Sequence, residues 1–151
     1  MQEITPFLWF DGKAEEAMRF YCSVFRQSKV LNVSPGPNGT VTSVTFELNG
    51  QRFMGLNAGP QFPFTEAVSF FVSVETQEEV DELWETLTEG GEPSRCGWLK
   101  DKYGLWWQII PTALGALLQD SDPEKAGRVM QAMLTMGKID IAGLRKAYDG
   151  A

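Results

Sequence analysis

Apolar and polar residues along the chain follow two kinds of spacing, one typical of strands and one typical of helices. The series of strand-like and helix-like segments occurs twice in the same order. Segments with apolar residues at alternate positions, as in strands, are separated by segments with the three-to-four spacing of one helix face. The strand-helix-strand-strand-strand series over residues 1–57 is repeated over residues 67–111. The pattern predicts an α+β fold of two repeated βαβββ modules. Residues 112–151 form a helical C-terminal extension.

The first module contains the clearest local signal. Asn49-Gly50 stands between two alternating segments and supplies the two residues of a type I′ hairpin turn, both of which require positive φ. The predicted elements of this module are a strand over 4–10, a helix over 13–25, and strands over 29–33, 43–48 and 51–57.

The second module and the extension follow similar signals. Asp122 is a predicted helix N-cap, because Pro123 stands at the first helical position after it. We expect the apolar side of that helix to pack on the sheet or on a partner subunit. The predicted elements are a strand over 67–75, a helix over 76–89, strands over 94–99 and 105–110, and helices over 112–118, 122–136 and after Asp140.

Length and composition limit the class of protein. With 151 residues and 43% hydrophobic content, the chain suits one domain spanning residues 1–151. A formal charge of −7 without a Lys/Arg-rich run argues against binding to nucleic acid or to an anionic membrane surface, so we expect neither partner. Because no signal-like or membrane-spanning segment is visible, we expect a soluble cytoplasmic protein.

The chain contains no histidine and two widely separated cysteines. The lack of histidine excludes Ser-His-Asp and Cys-His nucleophile systems, histidine acid/base chemistry and imidazole metal ligands. Cys22 and Cys96 have neither the spacing of a zinc site nor that of a disulfide framework, so we expect small, mostly buried apolar residues there.

Four segments resemble one branch of a known superfamily. They are ITPFLWFDGKAEEA (4–17), LNAGPQF (56–62), CGWLKD (96–101) and RVMQAM (128–133). They are similar to the PhnB-like branch, labelled 3-demethylubiquinone-9 3-methyltransferase-like, of the glyoxalase/bleomycin-resistance/dioxygenase (vicinal oxygen chelate) superfamily. The resemblance implies two βαβββ modules whose sheets curl around a cavity, commonly in a homodimer.

In the metal enzymes of this superfamily, each module supplies one metal ligand from its first strand and one from its last. The segment from Asp101 resembles the family pattern D-x-x-G-x-x-x-E and places Gln108 at a position normally held by glutamate. The resemblance and the internal repeat together imply Thr5, Met54 and Ser69 at the other three positions. Because four neutral groups are poor ligands for zinc, nickel or manganese, we predict no metal and no cofactor.

Strand alternation adds residues on the same faces as these four positions. An aromatic lining with a few polar groups is usual in a small-molecule site. For the aromatic candidates, side-chain packing within a closed sheet is an equally good explanation. The candidate ligand-pocket residues are Thr5, Phe7, Trp9, Arg52, Met54, Asn57, Ser69, Phe71, Trp106 and Gln108.

Some polar and aromatic residues also have structural explanations. Arg52 lies across the predicted hairpin from Glu47, and we expect a cross-strand ion pair. Asn57 precedes Ala58-Gly59-Pro60, which favours a turn residue over a ligand-binding group. For Trp98, ligand stacking and packing in a strand or dimer contact are alternatives.

The sequence therefore predicts a small-molecule-binding protein, homodimeric and without metal-dependent chemistry; whether it catalyses a reaction is left open. One alternative is a metal-dependent lyase, dioxygenase or transferase whose ligands include Asn57 or an acidic residue of the partner chain. Another is a methyltransferase-like enzyme, as the family label suggests, although no glycine-rich nucleotide-binding fingerprint is visible. A third is an interaction module that acts through the C-terminal helices.

Overall fold

A computed structural model of the chain describes residues 2–151, and its strands and helices are labelled here in chain order. The strands are β1 (Phe7–Phe10), β2 (Ser28–Pro35), β3 (Val41–Leu48), β4 (Gln51–Asn57), β5 (Phe70–Val74), β6 (Glu92–Pro93), β7 (Trp98–Lys100) and β8 (Trp106–Pro111). The helices are α1 (Ala14–Val24), α2 (Gln77–Thr88), α3 (Thr112–Leu118), α4 (Pro123–Leu134) and α5 (Ile141–Asp149).

The chain forms two compact units, of which the first ends at Phe64 and the second begins at Thr65. Each unit has the order βαβββ and forms a four-stranded mixed sheet, with orders β1-β4-β3-β2 and β5-β8-β7-β6. The first strand of each unit pairs in parallel with the last. The predicted α+β fold with a repeated βαβββ plan is confirmed. A single domain that encloses a cavity stays a prediction.

The core of the first unit lies between α1 and one face of its sheet. Met18 and Tyr21 of α1 are fully buried, as the three-to-four spacing of apolar residues predicts. The Tyr21 ring stacks on Phe46 of β3 at 6.3 Å between centroids, and Phe46 stacks on Phe53 of β4 at 5.5 Å. Alternate residues of each strand therefore point to the helix, and the residues between them point to the opposite face.

The hairpin turn is confirmed, whereas the first strand begins later than predicted. Asn49 and Gly50 have φ of 49° and 88°, both in the left-handed region that a type I′ turn requires. β1 starts at Phe7 instead of Ile4, and Ile4 is exposed. Pro6 has no backbone N–H with which to extend the pairing with β4, so the ladder begins after it.

In the second unit, the predicted strand over residues 94–99 is wrong. The chain forms two short strands, β6 and β7, separated by a turn over 94–97. Cys96 and Gly97 have φ of 58° and 84°, which a strand cannot contain. Cys96 is partly buried in this turn and Cys22 is partly buried in α1, which agrees with the expectation of mostly buried residues.

The helix of the second unit begins with a capping box, and its strand β5 starts at Phe70 instead of residue 67. The Glu79 backbone N–H donates to Thr76 Oγ1 at 3.2 Å, and the Thr76 N–H donates to Glu79 Oε1 at 3.2 Å. These bonds satisfy N–H groups that the first helical turn leaves without partners. They explain why the helix starts at Gln77, one residue after the predicted position.

A buried carboxylate fixes the turn between β7 and β8. Asp101 is 1% exposed, and its Oδ1 accepts hydrogen bonds from the backbone N–H groups of Tyr103 at 2.8 Å and Leu105 at 3.0 Å. Its Oδ2 accepts a bond from Trp107 Nε1 at 2.9 Å. The predicted turn over 101–104 is thus confirmed, and these three bonds explain why a carboxylate is tolerated inside the unit.

The extension, residues 112–151, forms the predicted helices α3, α4 and α5. At the start of α4, Asp122 Oδ1 accepts a bond from the Glu124 N–H at 2.9 Å, which confirms the N-cap. No helix within residues 2–151 is long and apolar enough to cross a membrane. The extension packs against the end of β8 through a buried cluster of Ile110, Leu114, Val129, Ile139 and Leu144.

Polar bonds join the last helix of the extension to α4 and to the loop that precedes α4. The Tyr148 hydroxyl donates to Asp120 Oδ2 at 2.7 Å, and Arg128 Nη2 donates to the Tyr148 carbonyl at 2.7 Å. The bond from Tyr148, followed by one from the Asp122 N–H, lowers the pKa of Asp120. The same Tyr148–Asp120 bond raises the pKa of Tyr148.

We expect the Tyr148→Phe substitution to destabilise the protein only in a middle pH window. The lowered pKa of Asp120 means that the bond stabilises above the ordinary carboxyl pKa and is lost as pH falls through the folded value. The raised pKa of Tyr148 means that it stabilises below the ordinary phenol pKa and is lost as pH rises through the folded value. The difference in unfolding free energy should therefore be largest from about pH 5 to pH 9.

Urea unfolding of both proteins at several pH values measures this difference. In an Asp120→Asn background, the acid-side change in the effect of Tyr148→Phe should disappear. A difference that is constant from acid to alkaline pH would contradict a stabilising role for this hydrogen bond.

Candidate functional site

The first unit has a sheet face opposite to its helix that combines aromatic, polar and thioether side chains. Phe7 lies beside Met54 in the parallel pair of strands, and Thr45 lies on the other side of Met54. The Phe7 side chain is 55% exposed although it belongs to a strand paired inside the unit. We call this surface, formed by Phe7, Trp9, Thr45, Arg52 and Met54, the Met54 face.

The second unit repeats the arrangement with a different polar group. Phe71, which is 60% exposed, lies beside Gln108, and Trp98 lies on the other side of Gln108. Gln108 Nε2 donates a hydrogen bond to Ser69 Oγ at 3.0 Å. We call this surface, formed by Ser69, Phe71, Trp98, Trp106 and Gln108, the Gln108 face.

The four positions at which the resemblance implies metal ligands occupy equivalent places in the two units. Met54 pairs with Phe7, the first residue of β1. Gln108 pairs with Phe71, the second residue of β5. Thr5 and Ser69 each stand two residues before the phenylalanine of the same unit. The structure brings Ser69 and Gln108 into direct contact, and the Met54 N–H donates to the carbonyl of Pro6, next to Thr5, at 2.9 Å.

Arg52 lies where the sequence predicts, but its ion pair is different. Arg52 is directly opposite Glu47 across the hairpin. Its Nη1 atom contacts Glu3 Oε2 at 3.4 Å, whereas Glu47 Oε1 lies 4.0 Å from Lys29 Nζ of β2. The predicted Glu47–Arg52 pair is therefore wrong, since each residue has another partner of opposite charge. The Arg52–Glu3 pair is exposed and the Lys29–Glu47 pair is partly exposed, and such surface pairs contribute little to stability.

Trp9 is held at one end of the Met54 face by the loop after β4. Its Nε1 donates to the Gly59 carbonyl at 2.9 Å, and its ring makes an edge-to-face contact with Phe62 at 4.8 Å between centroids. The loop fixes the indole in place, because its polar and apolar parts both have partners. Trp106, the aromatic candidate on β8 of the second unit, pairs in register with Lys100 and is half-buried.

Asn57 has a structural role that differs from the predicted turn. Its Oδ1 accepts a bond from the Ala14 N–H at 2.8 Å, and its Nδ2 donates to the Val41 carbonyl at 2.9 Å. Lys13, the N-cap residue of α1, makes no side-chain capping bond. Asn57 therefore caps α1 from the end of β4 and also ties it to β3.

The donor groups at the four family positions do not fit a divalent cation. They are two hydroxyls, a thioether and an amide, and none carries the negative charge that offsets loss of water from the metal. In the part of the chain that the structure describes, no three His, Cys, Asp or Glu residues form a group that could hold a metal ion. Burial raises the pKa of Cys22, so its sulfur is in the weakly coordinating thiol form at neutral pH.

Similarity to known proteins places this geometry in a family. Residues 2–110 match the family model described as 3-demethylubiquinone-9 3-methyltransferase. The PhnB protein from Bacillus cereus, a solved structure named after the same family, is 41% identical with a TM-score of 0.69. That match covers 73% of this chain and 99% of the Bacillus chain. No curated protein is similar enough to be matched.

More distant structures share the fold. A protein from Pseudomonas aeruginosa is 20% identical with a TM-score of 0.61, over 74% of this chain and 98% of its own. The fosfomycin resistance protein FosX from Listeria monocytogenes, solved in complex with Mn(II) and sulfate ion, is 15% identical with a TM-score of 0.55. That match covers 72% of this chain and 89% of FosX. At such identities the likeness establishes the fold alone.

We expect the Asn57→Ala substitution to lower the free energy of unfolding by about 1–3 kcal/mol, because it leaves two backbone groups without partners. Asn32→Ala is a matched control, since Asn32 is exposed and its Nδ2 bonds only to Ser34 Oγ at 2.8 Å. The control should change the unfolding free energy by less than about 0.5 kcal/mol. Urea unfolding measures both, and equal effects would contradict a capping role for Asn57.

Proposed function

This chain belongs to the PhnB-like branch of the vicinal oxygen chelate superfamily, the family described as 3-demethylubiquinone-9 3-methyltransferase, and on that premise we propose that it binds a small molecule without metal-dependent chemistry. The family positions that hold metals in other members serve here, in this proposal, as neutral contacts for an organic ligand. Fold membership alone does not decide this, because one fold supports many chemistries.

The observation that carries the proposal is the contact between Gln108 and Ser69 beside an exposed aromatic ring. Gln108 Nε2 is 3.0 Å from Ser69 Oγ, which orients the amide. The amide oxygen and the hydroxyl hydrogen remain suited to bonds with a neutral polar group. The neighbouring Phe71 ring, 60% exposed, offers an apolar surface for a planar group. An aromatic or apolar ring with a neutral polar substituent matches both features.

The Met54 face supports the same proposal with a less polar surface. Met54 replaces the amide by a polarisable thioether, and Phe7 repeats the exposed aromatic position. The two faces therefore suit apolar ligand groups with different hydrogen-bonding capacity. The homodimer, the cytoplasmic location and the lack of nucleic-acid and membrane partners stay predictions.

We expect chelator-stripped protein to show no saturable thermal stabilisation by Mn²⁺, Fe²⁺, Ni²⁺ or Zn²⁺. A metal at 100 times its dissociation constant that binds only the folded state would stabilise by about 2.7 kcal/mol, which a thermal-shift measurement detects easily. Saturable stabilisation by one of these metals would overturn the proposal in favour of a metal-dependent lyase, dioxygenase or transferase. Stabilisation by S-adenosylmethionine, a common methyl donor, would favour the methyltransferase named in the family description.

We also expect the protein to bind the neutral fluorescent probe N-phenyl-1-naphthylamine at the Gln108 face. Phe71→Ala should weaken binding about fivefold, because loss of one partly covered aromatic ring corresponds to about 1 kcal/mol. Leu134→Ala is the matched control, since Leu134 is an apolar side chain 51% exposed on α4. Fluorescence titration measures both dissociation constants, and thermal unfolding verifies that the folds are unchanged. Equal affinities for all three proteins would refute the Gln108 face as the binding surface.

A further inference from the structure

The extension contacts the second sheet at one end of the Gln108 face. Ile110 lies two residues beyond Gln108 on β8, so strand alternation places both side chains on the same face, about 7 Å apart along the strand. Ile110 is 8% exposed and packs in the buried cluster with Leu114, Val129 and other residues of the extension. The family match ends at residue 110, so the residues that cover Ile110 at this end of the Gln108 face belong to the extension, outside the match.

Backbone bonds also connect the extension to the turn that precedes β7. The Cys96 N–H donates to the Met136 carbonyl at 2.8 Å, and the Gly97 N–H donates to the Gly137 carbonyl at 2.8 Å. Cys96 has φ of 58°, an unfavourable value for a residue with a side chain. The two bonds provide a physical reason for this conformation, because they require both N–H groups to point towards the extension.

The same turn determines where Trp98 lies beside Gln108. The Gly97 carbonyl accepts a bond from the Ile109 N–H at 2.8 Å, and the next residue, Trp98, pairs in register with Gln108. A Cβ atom at position 97 would lie 2.6 Å from Ile110 Cδ1, so the turn packs tightly on the cluster. A shift of the extension would therefore move the turn and, through it, the Trp98 ring.

Gln77 and Asp81 of α2 bind the segment of the extension that follows its hydrogen bonds to the Cys96–Gly97 turn. Gln77 Nε2 donates to the Ile139 carbonyl at 3.0 Å, and Gln77 Oε1 accepts from the Ile141 N–H at 2.8 Å. Lys138 Nζ contacts Asp81 Oδ1 at 2.8 Å. The segment from Gly137 to Ile141 is thus fixed to α2 on one side and to the 94–97 turn on the other.

We propose that the extension is a positioning element for the Gln108 face: by holding the Cys96–Gly97 turn, it sets the place of Trp98 beside Gln108 and so determines which ligands fit. This inference rests on the proposed ligand-binding function. In it, Gln77 is a positioning residue, since it acts on the face through the 137–141 segment and the turn.

The test uses the full chain with Gln77→Leu, which removes the bonds to Ile139 and Ile141 at similar side-chain size. Hydrogen exchange should become faster at the Cys96, Gly97 and Ile109 amides and stay unchanged in the first unit. Glu78→Leu is the matched control, because Glu78 is an exposed neighbour on α2. It should leave exchange at these amides unchanged.

The second readout compares two neutral probes, N-phenyl-1-naphthylamine and the smaller 1-naphthylamine. If the extension positions Trp98, Gln77→Leu should change the ratio of their dissociation constants by about threefold or more, within the range for substitutions that act through intervening contacts. A general loss of stability would weaken both probes equally and leave the ratio unchanged. If Gln77→Leu unfolds the second unit, Lys138→Met, which removes only the exposed ion pair, carries the test with the same expected direction.

The outcomes separate this inference from the proposed function. If Phe71→Ala weakens probe binding but the probe ratio is the same in Gln77→Leu and the natural chain, the positioning role is overturned and the binding function stands. Unchanged exchange at Cys96 and Gly97 in Gln77→Leu would also overturn it. If Phe71→Ala has no effect on probe binding, the proposed function fails and the positioning inference fails with it.

Discussion

The parallel pairing of the first strand of each unit with its last strand is the constraint from which the rest of the structure follows. Parallel neighbours cannot be joined by a tight turn, so the chain must cross from one edge of the sheet to the other before it returns. In both units the crossing is made by a helix, which covers one sheet face with apolar side chains. The other face needs no apolar side chains to pack on that helix, so its residues can be selected for another purpose.

This constraint also fixes which residues meet on that second face. Because β1 pairs with β4 as β5 pairs with β8, the same backbone positions carry Met54 in one unit and Gln108 in the other. One position has a thioether and the other an amide bound to Ser69. Identical backbone plans therefore present surfaces of different polarity within one chain, which is why the fold alone does not determine the chemistry of either face.

Much of this arrangement is predictable from local sequence, and the parts that are not depend on distant contacts. Asn49-Gly50 predicts the hairpin and its register because the turn type requires those two residues. The turn at Cys96 is not predictable, since its bond to the Met136 carbonyl joins residues far apart in sequence. Asn57 has the composition of a turn around it, yet its amide caps a helix 43 positions away. The sequence shows that Asn57 is polar, but the fold determines which groups it hydrogen-bonds.

In the proposed function, an extension outside the family match alters the Gln108 face without a substitution in a paired strand. Substitution within a paired strand risks the register, because a one-residue slip turns every side chain to the opposite face. The extension instead contacts Gly97, which precedes Trp98, and Ile110, which lies two residues after Gln108. These contacts leave the pairing of β8 with β5 and β7 intact. The buried cluster anchors the extension to the end of β8, and close packing of such a cluster resists displacement. In the proposed function, ligand specificity would then change through residues that do not touch the ligand.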